Sequence, residues 1–92
     1  MSDTDREKEL ARRLGGLSAA CRGFLTYEQA LLIQEFVDVS EFGVALDWLV
    51  AYLAEGQARV PASTVEEIDH LAGIMGISGS IAEERGAIAV EG

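Results

Sequence analysis

Few side chains in this sequence could support covalent or metal chemistry. His70 is the single histidine of the 92 residues, and Glu66 and Glu67 precede it by four and three positions, so the three can share one helix face. A structural zinc site normally takes four ligands, mostly cysteine and histidine. The spacing therefore favours a solvated surface pair over a metal site, and we expect neither a metal nor a cofactor.

Cys21 is the only cysteine, so the chain has no internal disulfide. It falls on an apolar stripe with Leu10, Leu14 and Leu17, at the steps of four and three that mark one face of a helix. A nucleophilic cysteine needs a nearby base, and His70 is the only imidazole in the chain. We expect a buried, inert thiol and no enzymatic activity.

Ser40 could carry a prosthetic group, because an acidic helical chain of this length with a serine at a helix start resembles the acyl carrier proteins. Those proteins usually show Asp-Ser-Leu at that point, whereas Ser40 lies between Val39 and Glu41. A serine hydroxyl can also cap a helix by accepting from the amides of its first turn. Capping is the preferred interpretation, and a carrier protein is the less favoured alternative.

Acidic residues dominate most of the chain, which carries a formal net charge of −9. Between residues 23 and 84, eleven carboxylates are opposed by a single cation, Arg59. So negative a surface repels nucleic-acid phosphates and anionic lipid headgroups, and it attracts basic proteins. We therefore expect a basic protein partner, and neither direct nucleic-acid binding nor membrane binding.

Two aromatic residues near these carboxylates could anchor such a partner. Trp48 and Tyr52 are four positions apart and lie on one helix face. Either they complete the core, or they form an interface anchor ringed by charge, as at many binding hot spots. The candidate partner-binding residues are Glu35, Asp38, Glu41, Asp47, Trp48 and Tyr52.

The apolar periodicity predicts four helices, over residues 3–22, 27–39, 41–55 and 63–75. Thr26 with Gln29 and Ser63 with Glu66 have capping-box spacing, and Ser40 is predicted to cap the third helix. Gly76 followed by Ile77 predicts a Schellman ending, and residues 57–62 are predicted to form a loop.

These elements predict an all-α protein, a small antiparallel four-helix bundle formed by a single domain over residues 1–77. Residues 78–92 are predicted to be a C-terminal tail, partly ordered or disordered. Within it, Ile81, Ile88 and Val90 could pack back on the bundle, and a frayed tail is the alternative.

The N-terminal sequence MSDTDREKEL is charged and has no apolar core, so it does not predict a signal peptide. The chain also has no apolar run long enough to span a bilayer. With one unpaired cysteine, these features favour the cytoplasm.

Part of the sequence resembles the MafI-type immunity proteins of bacterial polymorphic-toxin systems. The similarity lies in the run Glu-Phe-Gly-Val-Ala-Leu-Asp-Trp-Leu at residues 41–49 and in Ile-Met-Gly-Ile at residues 74–77, and it extends over about residues 25–77. The resemblance implies a small helical protein that neutralises a cognate toxin in the cytoplasm of the producing cell. Toxins of such systems are often nucleases, which need positive charge to hold a phosphate substrate.

We therefore expect an immunity protein that neutralises a basic toxin through an acidic surface. The alternative is an acidic helical interaction module, such as a homodimer, without a toxin partner. The sequence leaves the oligomeric state and the identity of the toxin open.

Overall fold

The structure is a computed structural model that describes residues 3–57 and 59–91. Within these ranges the chain is mostly helical, which confirms the all-α class. It has five α-helices rather than the four predicted, together with a short 3-10 helix (Arg22–Phe24) and a pair of strands. The elements are α1 (Asp3–Ala20), α2 (Tyr27–Asp38), α3 (Phe42–Gly56), β1 (Arg59–Pro61), α4 (Ala62–Met75), α5 (Ser78–Ala87) and β2 (Ala89–Glu91).

Helix α3 lies at the centre of the molecule and contacts α1, α2, α4 and α5. Its sequence explains the position, because apolar side chains cover more than half of its circumference. The buried residues of α3 are Phe42, Ala45, Leu46, Leu49, Val50 and Leu53. The remaining outer strip of α3 is the only part that can reach a partner.

The start of α2 agrees with the prediction, whereas the start of α4 does not. The Thr26 hydroxyl accepts from the Gln29 backbone N–H at 3.1 Å, and the Gln29 side chain accepts from the Thr26 N–H at 3.0 Å. The predicted capping box at Ser63 is wrong, because α4 begins at Ala62 directly after β1 and Ser63 lies inside its first turn. Strand pairing places Pro61, with its extended backbone, at the cap position instead.

Ser40 ends α2 rather than capping α3, which corrects the prediction. Its φ is +62°, in the left-handed region, and its N–H donates to Val37 O at 3.0 Å. The Glu41 N–H donates to Phe36 O at 2.8 Å, which completes a Schellman motif. Glu41 itself occupies the N-cap position of α3, without a capping hydrogen bond from its side chain.

The end of α4 has the same motif and confirms the predicted Schellman ending. Gly76 has φ +71°, and its N–H donates to Gly73 O at 3.2 Å. The Ile77 N–H donates to Ala72 O at 3.0 Å. The left-handed residue of the motif is therefore a glycine at the end of α4 and a serine at the end of α2.

The C-terminal segment forms α5 and β2, and residue 92 of the predicted tail lies outside the described residues. Ile81 of α5 and Ile88 are buried in the common core, while Val90 is partly exposed. Strand β2 pairs in parallel with β1, with Val60 opposite Val90, so residues 59–61 are a strand and not part of a loop. The sequence analysis did not predict these strands, because a three-residue strand is too short to show periodicity. The pairing also joins segments that are far apart in sequence.

No described helix combines the length and apolar character needed to cross a membrane.

Candidate protein-binding surface

Three ion pairs connect described residues, and all lie on α1, α4 and α5. Arg12 pairs with Glu9 on α1, and Arg13 joins α1 to Glu67 of α4. The third pair holds α5 against α4 through two hydrogen bonds: Arg85 Nε donates to Asp69 Oδ1 at 2.7 Å, and Arg85 Nη2 donates to Asp69 Oδ2 at 2.9 Å. This side of the molecule therefore neutralises much of its own charge.

The hairpin formed by α2 and α3, residues 26–57, has a different charge pattern. It contains no lysine or arginine, and its carboxylates number six: Glu28, Glu35, Asp38, Glu41, Asp47 and Glu55. All six residues are exposed, and none forms an ion pair with another described residue. Asp38 Oδ1 accepts one hydrogen bond, from Gln34 Nε2 at 2.8 Å. The hairpin therefore presents uncompensated negative charge.

The two aromatic residues of α3 have divided roles. Their ring centroids are 5.5 Å apart, with the planes tilted by 36°. Tyr52 is half-buried and packs against the core cluster, whereas Trp48 is 42% exposed. The two alternatives considered from sequence are thus combined, because Tyr52 fixes the pair to the core and Trp48 extends it towards solvent.

Glu35 lies close to this aromatic pair. Glu35 of α2 and Tyr52 of α3 line the same open cavity, whose volume is about 600 Å³. The other lining residues are Thr26, Glu28, Gln29, Leu31 and Leu32. Of the six residues predicted for partner binding, two line this cavity, Glu35 and Tyr52, and Trp48 is connected to it through its ring contact with Tyr52.

The other three predicted residues, like Trp48, do not line this cavity. Asp38 lines a separate cavity between α1 and α2, together with Lys8 and Arg12. Glu41 lies in the turn before α3, and Asp47 is exposed beside Trp48 on α3. They add to the charge of the hairpin without contributing to the surface around Tyr52.

The sequence analysis did not select Glu28, Leu31 or Glu55, which also lie along this surface. A signal for two of them was present, because Glu28, Leu31 and Glu35 follow one another at steps of three and four on α2. Leu31 is 47% exposed, as expected for a residue that shares a helix face with two exposed carboxylates. The position of Glu55 at this surface depends on the packing of α3 against α2, which the sequence does not specify.

The residues whose side chains could take part in covalent or metal chemistry do not lie at this surface. Cys21 is buried as predicted, and burial raises the pKa of its thiol to about 11. His70 is exposed and forms no hydrogen bond with Glu66, while Glu67 binds Arg13 instead. Within the described ranges, no three His, Cys, Asp or Glu side chains are grouped so that they could hold a metal ion.

The residues that resemble the MafI-type proteins occupy the first turns of α3 and the junction between α4 and α5. Phe42, Ala45 and Leu46 are buried, and a Cβ at Gly43 would lie 4.0 Å from Ile77 Cγ2. The two similar segments therefore meet at Gly43 and Ile77, and core packing accounts for the apolar residues Phe42, Ala45, Leu46 and Leu49.

Compared with known proteins, the chain matches no family model, no curated protein and no solved structure. The resemblance consequently depends on the sequence motif alone, and the functional argument depends on the surface.

Proposed function

We propose that this protein binds a basic protein toxin through the α2–α3 hairpin and neutralises it in the cytoplasm, as an immunity protein without enzymatic activity. One observation carries the proposal. The hairpin has six exposed carboxylates and no cation, while the arginine ion pairs of the described residues lie on other helices. Charge concentrated on one segment destabilises a fold through self-repulsion, and the same charge attracts a basic partner, which supports a role in binding.

The chemistry of a toxin provides a matching surface. A nuclease must present positive charge to hold a phosphate backbone. A negatively charged inhibitor is drawn to that surface, and electrostatic attraction of this kind raises association rates by about 10- to 1000-fold. Trp48 and Tyr52 supply the apolar contact that complementary charge alone does not provide.

The experiment uses the toxin encoded beside this protein's gene and measures its association with the purified chain by stopped flow. The double variant Asp38→Lys/Glu41→Lys reverses charge at the turn of the hairpin. The control Glu66→Lys/Glu83→Lys makes the same change in net charge at exposed positions of α4 and α5. We expect the hairpin variant to slow association about 10-fold at low salt and to flatten its salt dependence, with a much smaller effect of the control.

Equal slowing in both variants would show that net charge matters and the hairpin does not. Unchanged binding in the hairpin variant, with its fold verified by circular dichroism, would contradict the proposed surface. A neighbouring gene that encodes no toxin, together with self-association of this chain, would favour the interaction-module alternative.

A further inference from the structure

A groove runs along the hairpin where the N-terminal half of α2 meets the C-terminal half of α3. The cavity that Glu35 and Tyr52 share, of about 600 Å³, adjoins a second cavity of about 420 Å³. Thr26, Gln29 and Tyr52 line both, so the two form one continuous surface, which we call the Tyr52 groove. It extends from Phe24 and Gly56 at one end to Glu35 at the other.

The groove is apolar at its base and acidic along its rim. Leu32 and Tyr52 are half-buried, Phe24 and Leu25 close one end, and Leu31 stands at the edge. The charged residues of the lining are Glu28, Glu35 and Glu55, and no lysine or arginine lines it.

The rim restricts what can occupy the groove. A partner that covered these three carboxylates without supplying cations would leave charges desolvated and unpaired, which is strongly unfavourable. A second copy of this chain is a poor occupant, because its net charge is −9 and its own hairpin carries no cation to offer. Like charges facing each other across an interface oppose association.

The aromatic pair selects between the two basic side chains. A guanidinium is planar and weakly hydrated, stacks on aromatic rings, and binds a carboxylate through two parallel hydrogen bonds. A lysine ammonium is a strongly hydrated point charge and makes neither arrangement as well. Tyr52 beside Glu35, with Trp48 in ring contact with Tyr52, therefore forms a receptor better matched to arginine.

We propose that the Tyr52 groove binds an arginine-bearing segment of the basic partner. The guanidinium lies against Tyr52 and pairs with Glu35 or Glu55, and apolar neighbours of that arginine cover Leu31 and Leu32. This inference rests on the proposed function, since it specifies which chemistry of a basic protein the hairpin recognises.

Trp48 is the only tryptophan in the chain, so its fluorescence reports binding in the groove through its ring contact with Tyr52. The probes are three short peptides of one pattern that alternates leucine with arginine, with lysine, or with citrulline, the neutral isostere of arginine. We expect the arginine peptide to shift Trp48 emission and to bind about fivefold more tightly than the lysine peptide. The citrulline peptide should bind at least tenfold more weakly than the arginine peptide.

The tyrosines provide a matched pair of variants. Tyr52→Leu removes the ring and keeps apolar volume, and it should reduce arginine-peptide affinity to that of the lysine peptide. Tyr27→Leu makes the same change at a residue that is 71% exposed and lines a neighbouring cavity, which shares Leu31 with the groove but contains no carboxylate, and it should leave affinity unchanged. If Tyr52→Leu does not fold, Glu35→Gln replaces it, with Glu66→Gln on α4 as the control; the former should weaken binding about threefold.

The outcomes separate this inference from the proposed function. Equal binding of the arginine and lysine peptides, or no effect of the groove variants, would overturn the arginine groove while leaving a hairpin that recognises basic proteins. Failure of every cationic peptide to bind, while the hairpin charge reversal still impairs toxin binding, would also overturn the groove alone. Failure of both experiments would remove the proposed function as well.

Discussion

The α2–α3 hairpin and the region formed by α1, α4 and α5 differ in whether their carboxylates form ion pairs. In the second region, arginines pair with carboxylates, within α1, from α1 to α4 and from α5 to α4. In the hairpin, six carboxylates have no cation on their own segment. Both regions pack on the same core through α3, so the contrast arises at the surface and not from a difference in folding.

Apolar side chains of both regions contribute to the core, and both regions also expose some of them. Ile81 of α5 is 1% exposed, whereas Leu31 of α2 and Trp48 of α3 are 47% and 42% exposed, and Ile74 of α4 is 50% exposed. The difference between the regions therefore lies in the pairing of their charges, and Leu31 and Trp48 are apolar side chains that a partner could cover on the unpaired region. Three matched pairs of substitutions test this difference.

The largest effect is expected from the apolar side chains. Ile81→Ala should lower the free energy of unfolding by about 3 kcal/mol, because it opens a cavity in the core. Leu31→Ala should cost less than about 1 kcal/mol, because the side chain is half-exposed already. Urea denaturation followed by far-UV circular dichroism measures both. Equal losses would mean that Leu31 serves the fold and is not free for a partner.

Substitutions in the two Schellman motifs are expected to have an intermediate effect on the free energy of unfolding. Ser40→Gly should stabilise the protein by about 1 kcal/mol, because serine at φ +62° is strained and glycine is not. Gly76→Ser should destabilise it by a similar amount, about 1 kcal/mol, through conformation alone, since no atom lies within 4 Å of a Cβ placed there.

Thermal denaturation of both variants gives these values. A loss of stability in Ser40→Gly would show that the Ser40 side chain supports the turn of the hairpin, contrary to this account.

The smallest effect concerns the carboxylates themselves. Asp47→Asn removes an uncompensated charge from the hairpin and should stabilise the protein by about 0.3 kcal/mol. Asp69→Asn makes the same chemical change but breaks the pair with Arg85, and it should destabilise by about 0.5 kcal/mol. Both effects should shrink at high salt, because these charges are exposed and screened.

Denaturation at low and high ionic strength measures whether each substitution raises or lowers the free energy of unfolding. If both substitutions stabilised the protein, the Arg85–Asp69 contact would contribute nothing and the charge contrast between the regions would weaken.

Sequence reasoning was successful where the signal is local. The capping box at Thr26, the Schellman ending at Gly76 and the buried position of Cys21 each depend on residues within one or two helical turns. It was wrong at Ser40 and Ser63, where serine is compatible with more than one role. Ser40 has left-handed backbone at a helix end, and Ser63 follows a strand that takes over the cap position.

The candidate surface was only partly predictable for the same reason. Trp48 and Tyr52 share a helix face by spacing, but only packing decides that Tyr52 turns inward and Trp48 stays exposed. Glu35 was selected for its charge and lies in the groove, whereas Asp38 was selected on the same basis and lies against α1.

The amino-acid sequence by itself determined the helical class, the apolar stripes and the absence of cations between residues 26 and 57. These properties follow from composition and from contacts within a few residues. Tertiary structure alone decided that Arg13 neutralises Glu67, 54 positions away, that β1 pairs with β2, and that the hairpin carboxylates remain unpaired. Such contacts form only when distant segments meet, because the interactions within each segment do not specify which surfaces will face one another.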